Sequence, residues 1–233
     1  MYSLSQKLLA EWIGTFAVVF IAAGSICADQ YLRSAGQGSR GLLESALAYG
    51  LAVAIMVSAV GQVSGGHLNP AVTVGLWVTK RFGTVQTVLY VVAQLVGSMT
   101  AAYLLVAVVP ESAWRPVALG TSDLAADFTR IHGMLLESVT TFILVFVYFA
   151  SAVDAKGALH SAAGFSIGLT ITMDVLVAGP FTGASLNPAR TLGTALAAHH
   201  WTNHGVYWIG PLFGGVLAGV IYDQLFLRDQ PPV

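Results

Sequence analysis

Two asparagines in this sequence are each followed by Pro-Ala and sit in stretches that are near copies of one another. The first stretch reads Ser64-Gly65-Gly66-His67-Leu68-Asn69-Pro70-Ala71-Val72-Thr73-Val74-Gly75. The second reads Thr182-Gly183-Ala184-Ser185-Leu186-Asn187-Pro188-Ala189-Arg190-Thr191-Leu192-Gly193. Asparagine is a good helix N-cap and proline is favoured at the first helical position, so each copy predicts irregular backbone followed by a helix start. The chemistry such a pair offers is binding rather than bond-making. It supplies amide donors, free N–H groups and the partial positive charge of a helix N-terminus. Residues for covalent chemistry do not assemble: no nucleophile–base pair or metal-ligand cluster can be drawn from the sequence, so neither an enzyme nor a cofactor or metal site is expected. Cys27, the single cysteine, excludes an internal disulfide.

The elements that must position these asparagines lie in a membrane. Hydrophobic residues make up 56% of the chain and charged residues 9%, against about 25% charged in ordinary soluble domains. Net charge is −1, which gives no electrostatic case for a nucleic-acid partner. Six apolar runs are long enough to cross the bilayer, near Leu8–Ala28, Leu42–Gly61, Val85–Val109, Ile131–Val153, Ser161–Ala178 and Val206–Leu227. The first has no cleavage pattern of a signal peptide. Polar connectors fall around Asp29–Gly41, Pro110–Arg130 and Asp154–Ala158. Helices over Pro70–Thr79 and Pro188–Ala198 are long enough to reach half way across. Non-helical backbone at membrane depth survives only inside protein or along a watery cavity, which points to a pore or transport site.

The repeat extends beyond these boxes. Glu11-x-x-x-Thr15-Phe16 answers Glu137-x-x-x-Thr141-Phe142, and Tyr90-x-x-x-Gln94-Leu95-x-Gly97 answers Tyr207-x-x-x-Pro211-Leu212-x-Gly214. Residues 1–109 and 131–227 therefore read as two units of span, span, half-helix, span, joined by 110–130 and followed by a tail, 228–233. Three spans per unit is an odd number, so the second unit is expected to enter the membrane inverted, with the two half-helix N-termini meeting near the midplane.

This all-α pattern of six spans, two re-entrant half-helices and an inverted repeat resembles the aquaporin (major intrinsic protein) family. The resemblance covers essentially the whole chain and includes both Asn-Pro-Ala boxes (Asn69, Pro70, Ala71; Asn187, Pro188, Ala189), Glu11, Glu137 and Arg190. It implies a passive channel that conducts water in single file and excludes protons and ions. Two facing helix N-termini repel cations at mid-pore, and the two side-chain amides hold a passing water by its oxygen, which breaks the hydrogen-bonded chain a proton would need. Backbone carbonyls of Gly65, Gly66, His67 and Leu68 on one side, and of Gly183, Ala184, Ser185 and Leu186 on the other, are the expected rungs.

By the same resemblance the selectivity filter maps onto Tyr49, Val175, Ala184 and Arg190. A lone arginine at that depth is costly unless it faces a polar lumen. Val175 stands where strictly water-selective members carry histidine, and small Ala184 opens the ring. Glu11 and Glu137 are expected to brace the carbonyl loops from behind, and Asp174 to accept from loop N–H groups. His67 is expected to offer its carbonyl while its ring packs the loop. His199, His200 and His204 belong to the outer mouth, and Cys27 reads as inert packing. Gly210-x-x-x-Gly214 and Gly215-x-x-x-Gly219 allow close helix packing within or between subunits.

Glycerol-conducting relatives carry an aspartate where this chain has Thr191, and Tyr207-Trp208 also resembles the water-channel side of the family. The run from Asp174 to Asn187 is most similar to the aquaporin-eight and tonoplast-intrinsic branch, which implies hydrogen peroxide or ammonia as further solutes; Tyr49 departs from the histidine usual there. A glycerol or small-polyol facilitator is the alternative within the channel class. A secondary transporter shares the vocabulary of inverted repeats and buried acids (Glu11, Glu137, Asp174), and flux coupled to an ion gradient would mark it. The family implies a homotetramer in the lipid bilayer, cytoplasmic termini, and the plasma or cell inner membrane. Charge barely orients the chain. Lys7, Lys80, Arg81, Lys156 and Arg228 lie on one face, and Arg33, Arg40, Arg115 and Arg130 on the other.

Overall fold

The computed structural model describes residues 2–156 and 162–228. Six helices long and apolar enough to cross a membrane are present: α1 (Leu4–Ser34), α2 (Gly41–Ser64), α4 (Thr84–Val108), α6 (Arg130–Tyr148, continued by a π-helical turn over Phe149–Val153), α7 (Ala163–Thr182) and α9 (Val206–Phe226). Two shorter helices, α3 (Pro70–Val78) and α8 (Pro188–Ala198), follow the boxes. A short helix, α5 (Glu111–Trp114), and a 3-10 turn (Arg115–Gly120) lie in the long connector, where only polar chain was expected.

Several spans run longer than the hydropathy pattern predicts. Local hydrogen bonding, rather than apolarity, sets helix ends. At the start of α1, Ser3 and Gln6 form a reciprocal capping box, and beyond its apolar run Asp29 holds Arg33 at 2.7 Å. α2 and α7 continue until Gly65 (φ 93) and Gly183 (φ 73), left-handed residues whose N–H groups cap the helices. α7 thereby carries Pro180 in its last turn, beyond the expected stop at Ala178. The expected start of that span, Ser161, lies outside the described residues, as do 157–158 of the preceding connector and 229–233 of the tail.

Contacts between elements pair off. α1 packs on α2 and α4 as α6 packs on α7 and α9; α3 lies against α9 as α8 lies against α4; α2 meets α7. Exchanging α1–α4 for α6–α9 maps each of these contacts onto another. Small residues permit the close approaches. A Cβ on Gly97 of α4 would meet the Trp12 carbonyl at 2.5 Å, and a Cβ on Gly214 of α9 would collide with the Ser138 carbonyl. The α2–α7 contact is equally tight, since a Cβ on Gly164 would stand 2.6 Å from the Ala54 carbonyl. Large apolar side chains at helical spacing, such as Phe165, Leu169, Met173 and Leu176, remain exposed on the outside, as a lipid-facing surface requires. The core they enclose contains Val18, Tyr49, Val53, Val57, Leu144, Ile167 and Ile171.

Candidate pore and selectivity filter

Both asparagines cap their helices. Asn69 Oδ1 accepts from Ala71 N at 2.8 Å, and Asn187 Oδ1 accepts from Ala189 N at 3.0 Å and Arg190 N at 3.3 Å. With the oxygen engaged, each amide nitrogen donates across the middle of the protein. Asn69 Nδ2 donates to the Leu186 carbonyl at 2.8 Å, and Asn187 Nδ2 donates to the Leu68 carbonyl at 2.9 Å. These crossed bonds hold the two half-helix N-termini at one place. Each NH₂ keeps a second hydrogen for the lumen.

The loops before the boxes follow one plan. Leu68 (φ 50), Ala184 (φ 42) and Leu186 (φ 54) occupy the left-handed region, which costs a non-glycine residue about 1–3 kcal/mol and persists only where the surroundings over-determine it. The surroundings are the two buried acids. Glu11 accepts from Ser64 Oγ (2.7 Å), His67 N (3.0 Å), Leu68 N (2.7 Å) and Gln94 Nε2 (2.8 Å). Glu137 accepts from Thr182 Oγ1 (2.7 Å), Ser185 N (3.0 Å) and Leu186 N (2.8 Å). The Tyr90 hydroxyl donates to the Ser64 carbonyl and the Tyr207 hydroxyl to the Thr182 carbonyl, at 2.9 and 2.8 Å. Ser64, Thr182, Gln94 and the two tyrosines were not assigned to the site from sequence. The register of the repeat was the signal available for them.

The expected rungs divide into two groups. The carbonyls of Leu68 and Leu186 accept from the asparagines. Those of Gly65 and Ser185 accept from the hydroxyls of Tyr148 (2.7 Å) and Tyr49 (2.9 Å), and that of Gly183 from Ser122 Oγ at 3.4 Å. These five carbonyls are already partnered, and each retains a second lone pair. A narrow cavity of about 20 Å³ runs along Tyr49, Val53, Val57, Gly66, His67, Asn69 and Asn187. The His67 ring packs among Phe82, Tyr90 and Tyr148, with Nδ1 3.1 Å from Thr73 Oγ1.

At the filter positions, Arg190 is 2% exposed. Its Nη1 donates to Ser122 Oγ at 2.6 Å, while its Nε has no hydrogen-bond partner among the described residues. Ser122, in the long connector, is a contact that sequence spacing could not supply. Val175 and Ala184 lie in the same apolar cluster as Tyr49. Asp174 departs from expectation. The loop N–H groups go to Glu11, Glu137, Ser64 Oγ and Thr182 Oγ1, and Asp174 Oδ2 is buried without a hydrogen-bond partner among the described residues. Glu137 of α6 takes the Ser185 and Leu186 N–H groups instead. At the mouth beyond Arg190, His200 Nε2 meets Asp123 Oδ2 at 2.6 Å, and His204 Nε2 accepts from Trp208 Nε1 at 3.0 Å.

A family model described as major intrinsic protein matches residues 1–222. The chain belongs to that family. Among relatives of this major intrinsic protein are Aquaporin TIP4-4 of Zea mays, 46% identical over 96% of this chain and 88% of the relative, and Aquaporin TIP2-1 of Arabidopsis thaliana, 42% identical over 98% and 90%. In fold it matches the X-ray structure of the aquaglyceroporin from Plasmodium falciparum with a TM-score of 0.85, covering 97% of this chain and 98% of that one at 22% identity. The resemblance seen in the motifs thus holds along the chain. The protein is an integral, multi-pass membrane protein and a water channel, of a family of channels.

Proposed function

We propose that water crosses this protein in single file between the crossed asparagines, driven only by osmotic gradient, with protons and ions excluded. The observation that carries this reading is the reciprocal pair Asn69–Leu186 and Asn187–Leu68. It brings two helix N-termini together, so that their partial positive charges add where the lumen is narrow. The remaining amide hydrogens of Asn69 and Asn187 hold the water oxygen, and the carbonyls of Gly66, His67 and Ala184 serve as rungs beside the partnered ones. Tyr49, Val175, Ala184 and Arg190 form the filter. Because Val175 and Ala184 offer an apolar, small lining, hydrogen peroxide or ammonia passes as well. Glycerol facilitation is the weaker reading: Thr191, which stands where glycerol-conducting relatives carry aspartate, spends its hydroxyl on Ser185 Oγ at 2.5 Å.

The chain is read as two inverted units, 1–109 and 131–227, with cytoplasmic termini, one pore per subunit and four subunits per assembly. The tonoplast-intrinsic likeness favours a vacuole-type membrane over the plasma or cell inner membrane named above. Proteoliposomes test the central claim. Rungs that replace hydration stepwise predict rapid osmotic water flux of low activation energy. A temperature dependence as steep as that of bare lipid removes the reading.

A further inference from the structure

The face that carries the start of α1 and the end of α9 holds five basic residues, Lys7, Lys80, Arg81, Lys156 and Arg228. Three of them, Lys80, Arg81 and Arg228, gather at one open groove of about 700 Å³ between the ends of α3 and α9. Asp223 is the one acid among the described residues that line it, and it is already engaged. Arg81 Nε donates to its Oδ1 at 2.5 Å, and Arg81 Nη2 donates to the Leu227 carbonyl at 3.2 Å. The Arg81 side chain is only 6% exposed, so it acts as a strut that joins the end of α3 to α9. Three cations against one carboxylate leave the groove two positive charges in excess, and Lys80 and Arg228 present them in the open.

Lys80 occupies a backbone position that suits another residue better. α3 ends in a turn closed by Arg81 N donating to the Leu76 carbonyl at 2.9 Å, with Lys80 left-handed at φ 59. Helices that end this way ordinarily place glycine at the left-handed position. A cation near a helix C-terminus is favourable on its own, and Arg81 already supplies one. Charge compensation therefore gives no reason to set a second cation where glycine fits without strain. The surroundings are those of a membrane boundary. Trp77 is exposed and donates from its indole to Thr84 Oγ1 at 3.0 Å. Leu225 and Phe226 are exposed close to Arg228, and Val85, Val88, Val92 and Val96 form an exposed stripe down α4 at helical spacing. Tryptophan marks the headgroup level of a bilayer, and such apolar stripes face its hydrocarbon. The two open cations thus stand where lipid phosphates lie.

We propose that the groove of Lys80 and Arg228 is a binding site for an anionic phospholipid. Its phosphorylated headgroup lies between the two cations, and its acyl chains follow the apolar side chains of α4 and α9. The flanking Trp77, Leu225 and Phe226 favour a lipid over a soluble phosphate, which has nothing to set against them. An occupied groove ties the turn after α3 to the end of α9, across the joint that Arg81 and Asp223 make. It therefore steadies the half-helix whose other end is capped by Asn69.

The test titrates the full chain in detergent micelles with dioctanoyl phosphatidylinositol phosphate and reads binding and the thermal midpoint together. Saturable binding that raises the midpoint is expected, with dioctanoyl phosphatidylcholine giving neither. Arg228→Gln and Lys80→Gly are each expected to weaken binding about fivefold, the equivalent of about 1 kcal/mol per basic residue. Lys80→Gly is also expected to keep or raise the lipid-free midpoint, because glycine takes the left-handed position without strain. Loss of binding is then separated from loss of fold. No saturable binding by the parent, equal binding of phosphatidylcholine, or parental binding in either variant overturns the site. Inositol bisphosphate, a headgroup without chains, is expected to bind about tenfold more weakly, the contribution of two buried CH₂ groups. Equal binding of that soluble headgroup assigns the groove to a free phosphate and overturns the lipid.

Discussion

Replacing Glu137 with glutamine exchanges one carboxylate oxygen for an NH₂ group in a place where every neighbour is a donor. Oε1 accepts from Thr182 Oγ1 and Ser185 N, and Oε2 from Leu186 N. The new amide keeps most by leaving its oxygen at the first position, which sets NH₂ against the Leu186 N–H. A buried donor left unsatisfied costs about 1–3 kcal/mol. The two surviving bonds change from charge-assisted to neutral, roughly halving their strength, for about 1 kcal/mol more each. The sum is about 3–5 kcal/mol, concentrated on a loop that already holds Ala184 and Leu186 at positive φ. Relaxation of Leu186 withdraws the carbonyl that Asn69 uses, so flux falls together with stability. The expected result for Glu137→Gln is a thermal midpoint in detergent lowered by about 10 °C and a reduced water permeability per incorporated protein. Glu11→Gln serves as the internal control. Gln94 donates to Glu11 at 2.8 Å, and its own Oε1 is buried without a hydrogen-bond partner among the described residues. Turning the Gln94 amide over gives the new NH₂ an acceptor but withdraws the donor that Gln94 Nε2 gives Thr73 Oγ1 at 2.9 Å, so this variant loses that bond and the Leu68 N–H bond and is expected to fall about as far as Glu137→Gln. Parental midpoint and parental flux in Glu137→Gln would refute the bracing role.

Arg190→Ala removes a buried cation held by Ser122; proton and small-cation conductance, read with pH- and potential-sensitive dyes, is expected to rise while water still passes. Val175→His adds a polar ring to the filter and is expected to lower peroxide or ammonia uptake more than water flux, while Tyr49→Ala, which also frees the Ser185 carbonyl, is expected to raise glycerol uptake; unchanged solute-to-water ratios in both count against selection at this ring. Gly193→Val pushes a branched side chain against Ser98, where even a Cβ collides with the hydroxyl and meets the Ser98 carbonyl carbon at 2.6 Å. Overpacking of this kind costs about 1–3 kcal/mol, and a lower melting temperature in detergent checks it.

The box residues were legible because their chemistry is local: Asn and Pro specify a helix start within a few residues. The two acids were legible as a pair because they recur in register within apolar runs. The filter positions came only through family resemblance. What sequence could not show were partners set by distant packing. Ser122 reaches Arg190 from a connector that reads merely as polar chain. Tyr148 reaches Gly65 from a helix where an aromatic residue reads as core. Asp174 was misassigned because adjacency to a filter residue says nothing about which acid the loop N–H groups meet. The helix ends slipped for a related reason. Gly65 and Gly183 stop α2 and α7 by backbone geometry, several residues past the point where hydropathy fades.

The crossed asparagine bonds also impose an order on biogenesis. Asn69 needs the carbonyl of Leu186, and Asn187 needs that of Leu68, yet at about 5–20 residues per second the ribosome takes on the order of ten seconds to travel from one box to the other. For that interval α3 has no opposing N-terminus, and α9, its principal neighbour, does not yet exist. A nascent chain stalled before the second box must therefore keep its first re-entrant segment wet, sheltered by the insertion machinery or returned to the interface. The lumen closes into a channel only when the last quarter of the chain has arrived.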